Sequence, residues 1–411
     1  MTGRPHVVVI HRWLARYAEY HRYIDHDEYA VSYVSTVVGA PSVPAGAVDV
    51  VTVNATDDLA EVAECVEQLA EKHGRPCRIM ALKEDDLLVA AELRALWGCE
   101  GPTVAEVLPF RDKLMMNRAV AAAGLELPPF ANAPDVAAVE RFAAEHGWPL
   151  IVKPRIGSSS AGVSRLDGPQ DLSGLDLSGT PHLVQLFDPR TVYHVDGCFD
   201  GTGIGPIRAS RYLNSCMGFR TGDRLGAVEE DDPVVCGAIA EYAAGALRAL
   251  TDRPTTFHLE AFVDRDTARC AFLEVGARVG GGDIPFLWRE VHGYDLMEAG
   301  FRIGLGLDPR PWPAPLDVTA IGGADREEVA GWLLVPAPAR RPCVITEATP
   351  MVGRVPGPYA EALLSPGEVL PAADAYYEHV GGRFRFRGTT SGEVEEAVTV
   401  TARDFRVSGS R

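Results

Sequence analysis

His258-Leu259-Glu260-Ala261-Phe262-Val263, and after a polar break Ala271-Phe272-Leu273-Glu274-Val275-Gly276-Ala277-Arg278-Val279-Gly280-Gly281-Gly282, is the stretch on which the chain turns. Both halves read as short strands, apolar but for a few charges, and Asp264-Arg265-Asp266-Thr267 between them is turn-like. Paired as an antiparallel hairpin, they bring Glu260 and Glu274 to one side. Adjacent carboxylates repel and desolvate each other, so a fold keeps them together with a cation between them. Mg²⁺ on the phosphates of a nucleotide is the usual guest, since it takes one or two carboxylates and several other oxygens. Arg278, four residues after Glu274, falls on the same face by alternation and is placed to meet an anion that the metal also touches. A hairpin with its charges in solvent fits the same pattern. The surrounding sequence has to decide.

The chain has 411 residues, 46% hydrophobic and 23% charged, an ordinary globular composition. At roughly 100–200 residues per domain this length implies two or three domains. The net charge of -18 argues against nucleic acid or an anionic membrane as partner. Eight cysteines without CxxC spacing suggest reduced thiols, neither a zinc site nor a disulfide framework. The N-terminal apolar run, Val7 to Ile10, is too short for a signal peptide or a membrane span. A cytoplasmic protein is the expectation.

Strand-like runs at His6–Arg12, Val50–Val53 and Arg78–Leu82 alternate with helical patterns at Asp57–His73 and Leu87–Leu96. That alternation implies an open α/β layer over residues 1–105. No GxGxxG turn follows its first strand, which argues against a dinucleotide site there. Glu84, Asp85 and Asp86 lie past a strand's carboxyl end, where a substrate amine could bind, although an exposed acidic helix start fits them better. Helices are expected at Leu114–Ala123 and Asp135–His146. Pro149-Leu150-Ile151-Val152-Lys153-Pro154 then reads as a strand carrying a lysine, followed by the glycine- and serine-rich Gly157–Val163. Backbone N–H groups of such a loop can converge on anionic oxygens, a phosphate clamp in its chemistry; a mobile surface loop is the alternative. His182–Phe187 is a further strand, Tyr193–Asp196 leads into a glycine-rich hairpin, and Pro233–Leu250 is a long helix. Pro309–Pro315 marks a boundary. The last hundred residues hold short strands at Cys343–Glu347 and Arg383–Phe386 and close on a helix from Ser391.

Arg111-Asp112-Lys113, Val152-Lys153-Pro154, the Gly157–Gly162 loop, the Val184–Phe187 strand and the paired glutamates 260 and 274 fall in the order and spacing of the ATP-grasp superfamily. The chain resembles its L-amino-acid ligase, or carboxylate–amine ligase, branch. That resemblance implies an α/β fold in three domains: an N-terminal open α/β domain (1–105), an ATP-grasp domain (106–308, lid 106–183 and catalytic part 184–308) and a C-terminal α+β domain (309–411). It implies that Lys113 and Lys153 hold the α- and β-phosphates of ATP, under a lid formed by Gly157, Ser158, Ser159, Ser160 and Gly162. The backbone of Gln185, Leu186 and Phe187 would read adenine, and Glu260 and Glu274 would ligate two Mg²⁺ ions, with Mn²⁺ as an alternative. Arg278 would steady a phosphorylated intermediate. His258, two residues before Glu260 and on its face, joins Arg278 and Lys153 as a catalytic candidate, although a core histidine fits as well.

This chain departs from the resembled pattern twice. Gly276 stands where asparagine is usual two residues after the second glutamate. Val192 stands where a glutamate often holds the ribose, leaving Asp188 or His194 as substitutes. The implied activity is an ATP-dependent ligase that joins a carboxylate to an amine through an acyl phosphate. Its partners would be small-molecule carboxylate and amine substrates, with no nucleic acid or membrane and with room for a homodimer. Gly281 and Gly282 at a helix start, with Arg211 and Arg289, are candidates for substrate recognition; Trp288 and Tyr294 stand beside them, and each also fits a structural role. The alternatives are a bicarbonate-phosphorylating carboxylase-type enzyme and a non-catalytic nucleotide-binding module.

Overall fold

The computed structural model describes residues 3–13, 17–309, 328–372 and 380–410. The apolar runs near the N-terminus pair in parallel, in the order Asp49–Val53, Ala30–Thr36, His6–His11, Pro76–Ala81. Both faces of its two inner strands are buried, as parallel strands require. Val8, Ile10 and Val34 pack under helices Leu59–His73 and Leu87–Trp97. Val7, Val9 and Tyr33 face helices Ile284–Glu290 and Leu296–Gly304. The strand Ala30–Thr36 has no counterpart in the sequence reading because Ser32 and Ser35 interrupt its apolar run. Both serines are nonetheless fully buried, and Ser32 Oγ lies 2.7 Å from His6 Nε2.

The acidic turn after this sheet is not the exposed helix start that the sequence suggests. Asp86 is 0% exposed, accepts from Thr56 Oγ1 at 2.9 Å and lies 3.5 Å from Arg12. Burial raises its carboxyl to about 6, with Arg12 opposing, against an ordinary 3.8. The folded chain therefore binds a proton more tightly than the unfolded one. This group's favourable contribution is full below pH 3.8 and is lost as pH rises through 6. A displacement of that size limits the cost of the charged form to about 3 kcal/mol. Asp86→Asn is accordingly expected to be more stable than the parent at pH 7.5, with the gain shrinking towards pH 4, as denaturant titrations at the two pH values would read.

A second, antiparallel sheet has the order Phe130–Ala133, His182–Leu186, Leu150–Pro154, Ser164–Leu166. Helix Val136–His146, N-capped by Asp135, packs Val139 and Phe142 against its Leu150, Val152 and Val184. The central sheet has eight strands in the order Arg269–Gly276, Pro254–Asp264, Thr191–Asp200, Ile204–Tyr212, Leu225–Glu229, Val329–Pro336, Val380–Gly388, Ala360–Leu363. Its hydrogen bonding crosses the 308/309 boundary, because Leu225–Glu229 pairs with Val329–Pro336. Helix Ser391–Asp404 covers these later strands through Val394 and Val398. The chain does not close on that helix; the strand Val407–Ser410 follows and joins Cys343–Ala348 and Val369–Leu370 in a small sheet. The proline-rich boundary expected at Pro309–Pro315 lies, from residue 310 on, outside the described residues.

Helix Pro233–Leu250 is, among the described residues, the one long and apolar enough to cross a membrane. Its stripe Val235, Ile239, Ala243, Ala246 and Leu247 packs against Tyr193, Val195, Leu259 and Ala261 of the central sheet. The eight cysteines are all free.

Candidate active site

The hairpin Pro254–Asp264/Arg269–Gly276 sets Glu260 directly opposite Glu274. The register does not run evenly through this pair. Ala261 pairs with Phe272, so Leu273 is an extra residue on its strand, a β-bulge. Cys270 and Phe272 before the bulge face the core, and so does Val275 after it. The bulge thus turns two consecutive residues, Leu273 and Glu274, to the same side, where both line a cavity of about 400 Å³.

Lys113, Lys153, Gly157, Ser158, Ser160, Gln185, Leu186, Phe187 and Glu260 line that cavity too. Lys113 is the first residue of helix Lys113–Ala122, whose cap Asp112 accepts from the N–H groups of Leu114 and Met115. Its ammonium donates to Gly157 O at 3.0 Å and lies 3.6 Å from Glu274 Oε2. Lys153 is 4% exposed, and burial lowers its ammonium to about 8, with Glu274 opposing and Lys113 adding. The glycine- and serine-rich loop is tied from two sides: Ser158 Oγ donates to Asp85 Oδ1 at 3.1 Å, and Arg220 donates to Ser159 O at 2.9 Å. Ser159 and Gly162 do not line the cavity. Gly162, at φ +69°, is where a Cβ would strike Pro154 Cγ at 2.8 Å.

The two glutamates differ electrostatically. Burial and then the charge of Glu274 raise the Glu260 carboxyl, while Tyr212 O–H donates to its Oε1 at 3.0 Å. Burial works against Glu274 as well, but Lys113 and Lys153 outweigh it and lower its carboxyl. A carboxylate pair in which one member resists ionisation suits a cation between them. The donor set of two carboxylates, with two lysines lining the same cavity, fits Mg²⁺.

Next to Glu260, His258 belongs to a buried network with Asp196 and His194. His258 Nδ1 is 2.8 Å from Asp196 Oδ1, His194 Nδ1 is 2.6 Å from Asp196 Oδ2, and His258 Nε2 is 3.8 Å from Glu260 Oε1. Burial raises the Asp196 carboxyl, but the two histidines more than offset it and hold it well below the usual range. Gly280 is required here, since a Cβ would meet Asp196 Oδ1 at 2.3 Å and His258 Nδ1 at 2.9 Å. Local sequence does not mark Asp196, because its pairing with His258 depends on the register of strands far apart in sequence.

Several expected residues stand elsewhere. Arg211 is bound to Glu395 at 2.9 Å, while its neighbour Tyr212, on the opposite face of the strand, lines the cavity. Arg289 pairs with Glu19 at 3.0 Å and Asp295 at 3.6 Å, which ties the first domain to the central one. Gly281 and Gly282 do not line the cavity, and the helix after them, Ile284–Glu290, has 7 residues. Trp288 and Tyr294 are core residues. The N–H groups of Leu186 and Phe187 donate to the carbonyls of Pro129 and Pro149 and are not offered to a base. Asp188 lines the cavity beside Val192, with its carboxylate engaged by Arg190 at 2.6 Å, whereas His194 is committed to Asp196. Arg278 lines a separate cavity of about 840 Å³, between the first sheet and the hairpin, together with Leu82, Thr255 and Thr256.

No family model matches the sequence. The chain is 24% identical over 278 residues to the L-arginine-specific L-amino acid ligase of Bacillus subtilis. The match covers 64% of this chain and 66% of that protein, so the chain spans just under two thirds of the length of this curated relative. The crystal structure of L-amino acid ligase from Bacillus licheniformis is similar with a TM-score of 0.76 at 17% identity, covering 100% of both chains. The crystal structure of N5-carboxyaminoimidazole ribonucleotide synthetase from Thermotoga maritima is similar with a TM-score of 0.67 at 12% identity, covering 99% of this chain and 100% of that one.

Proposed function

Because the chain has the three-domain ATP-grasp architecture, we propose that it is an ATP-dependent ligase joining a carboxylate to an amine, with amino-acid-type substrates. One observation carries this reading: two lysines, a glycine- and serine-rich loop and two register-paired glutamates line a single cavity. Lys113 and Lys153 hold the phosphates of ATP, and the loop 157–163 covers them and excludes water from a reactive intermediate. Glu260 and Glu274 hold Mg²⁺, which supplies charge neutralisation on the phosphates when bound. The substrate carboxylate takes the γ-phosphoryl group to give an acyl phosphate and ADP. The amine nitrogen then forms its bond to the acyl carbon as the C–O bond to phosphate breaks, and phosphate leaves. Arg278 balances the negative charge that develops on the acyl oxygen and on the departing phosphate. The interdomain cavity that Arg278 lines offers room for the organic substrates.

The test is incubation with ATP, Mg²⁺ and pooled amino acids, read by phosphate assay and mass spectrometry. The expected result is ADP, phosphate and a product whose mass equals two substrates less water. AMP with pyrophosphate overturns the reading. Phosphate release that needs bicarbonate and ignores amines replaces it with a carboxylase-type reaction, and nucleotide binding without turnover replaces it with a binding module.

A further inference from the structure

Where the resembled pattern has asparagine, this chain has Gly276, and a carboxylate from another domain takes up the space. A Cβ built on Gly276 meets Glu84 Oε2 at 2.6 Å and Arg278 Cγ at 3.5 Å. Glu84 is not free to swing aside. Its Oε1 accepts from Arg111, its Oε2 accepts from Arg278 Nε at 2.5 Å, and its side chain is 12% exposed. It stands in the turn Glu84–Asp86, just past the carboxyl end of the edge strand Pro76–Ala81, whereas Arg278 follows the hairpin of the central sheet. Arg278 Nη1 donates to Val279 O at 2.9 Å, so two contacts fix the plane of its guanidinium.

We infer that Glu84 is a positioning residue: through the gap left by Gly276 it fixes the guanidinium of Arg278, so that the N-terminal domain completes the catalytic centre. The role given to Arg278 rests on the ligase reading, whereas the way it is held rests on geometry alone. Burial by itself would raise the Glu84 carboxyl, but the charges of Arg278 and Arg111 bring it to about 2, so it is ionised at any working pH. A glutamine of the same shape has one acceptor oxygen and cannot serve both arginines. Arg278 would keep its place in sequence and lose its orientation.

The experiment is a double-mutant cycle on the full chain, read by turnover, ATP binding and thermal unfolding. Glu84→Gln is expected to lower kcat by about 10- to 100-fold, the range seen when an orienting partner is removed. Its affinity for ATP should stay within about twofold of the parent, because ATP is held elsewhere. Glu84→Asp, which retains the charge on a shorter arm, should recover part of the loss. Gly276→Ala should lose both kcat and melting temperature in the parent, and should be close to neutral for melting temperature in a Glu84→Ala background, where the colliding carboxylate is gone. Parental kcat in Glu84→Gln overturns the inference, and so does a Gly276→Ala effect on melting temperature that is unchanged in the Glu84→Ala background. If the parent turns over no substrate at all, the ligase reading falls, and the thermal arm of the cycle still decides whether Glu84 occupies the space at 276.

Discussion

Glu260→Gln and Glu274→Gln are each expected to lower turnover by about 10³-fold, equivalent to about 4 kcal/mol of lost charge stabilisation, yet to move the stability of the metal-free protein in opposite directions. The loss of turnover follows from removing either carboxylate from a site that needs both. The divergence follows from their surroundings. Glu260 is charged at a cost, because burial and Glu274 raise its carboxyl above the ordinary value. An amide there removes the repulsion and can still accept from Tyr212 O–H. Glu274 is charged to advantage, because Lys113 and Lys153 lower its carboxyl despite its burial. An amide there removes the negative charge that offsets two nearby ammonium groups. Calorimetry in chelator, without nucleotide, should find Glu260→Gln melting at or above the parent and Glu274→Gln below it. The gain in Glu260→Gln should fade on acidification, since a carboxyl whose pKa is raised by folding destabilises only once it ionises. Equal losses of stability in both variants would mean that the pair is held by something other than the two lysines.

Lys153→Met should cost about 10²- to 10³-fold in turnover, the range for deleting a preorganised group aimed at developing charge. The unbranched thioether keeps the length of the side chain, so the strand Leu150–Pro154 and its neighbours should be undisturbed. The pH dependence gives this variant a second signature. Burial lowers Lys153 to about 8 in the free protein, and phosphate oxygens favour its charged form, so binding raises its pKa. A group bound more tightly to its proton in the complex than in the free protein gives full affinity below the lower pKa and loses it as pH rises. ATP affinity of the parent should therefore fall above pH 8, and Lys153→Met should bind more weakly throughout and lack that part of the slope. Calorimetric titration at pH 7 and pH 9 compares the two.

What could be read in the sequence was whatever depends on local pattern. The hairpin announces itself by two apolar runs and a polar turn, Lys153 by its place in a strand before a flexible loop, and Lys113 by its place at the start of a helix. What could not be read was the choice of partner across the fold. Nothing near Glu84 in the chain indicates that Arg278 is its partner, 194 residues away. Local pattern does not say whether Arg211 or Tyr212 faces the cavity, because adjacent strand residues point to opposite faces and only the sheet's pairing says which face is which. The strand Ala30–Thr36 was missed because its buried Ser32 is satisfied by His6, a contact that periodicity does not register. The backbone donors of Leu186 and Phe187 looked available because strand pattern alone does not reveal which carbonyls will claim them.

The extra residue at Leu273 bears on how this hairpin should be compared with any other. Parity is conserved along an unbroken strand, so an observer counting by twos from Cys270 arrives at Glu274 on the core side and from Gly276 arrives at it on the cavity side. Both counts are internally consistent, and they contradict each other. A pairwise alignment with an unbulged strand that opens no gap at Leu273 would therefore leave every residue on one flank assigned to the wrong surface, with no mismatch in residue type to betray the error. Length, at this one position, carries information that composition does not.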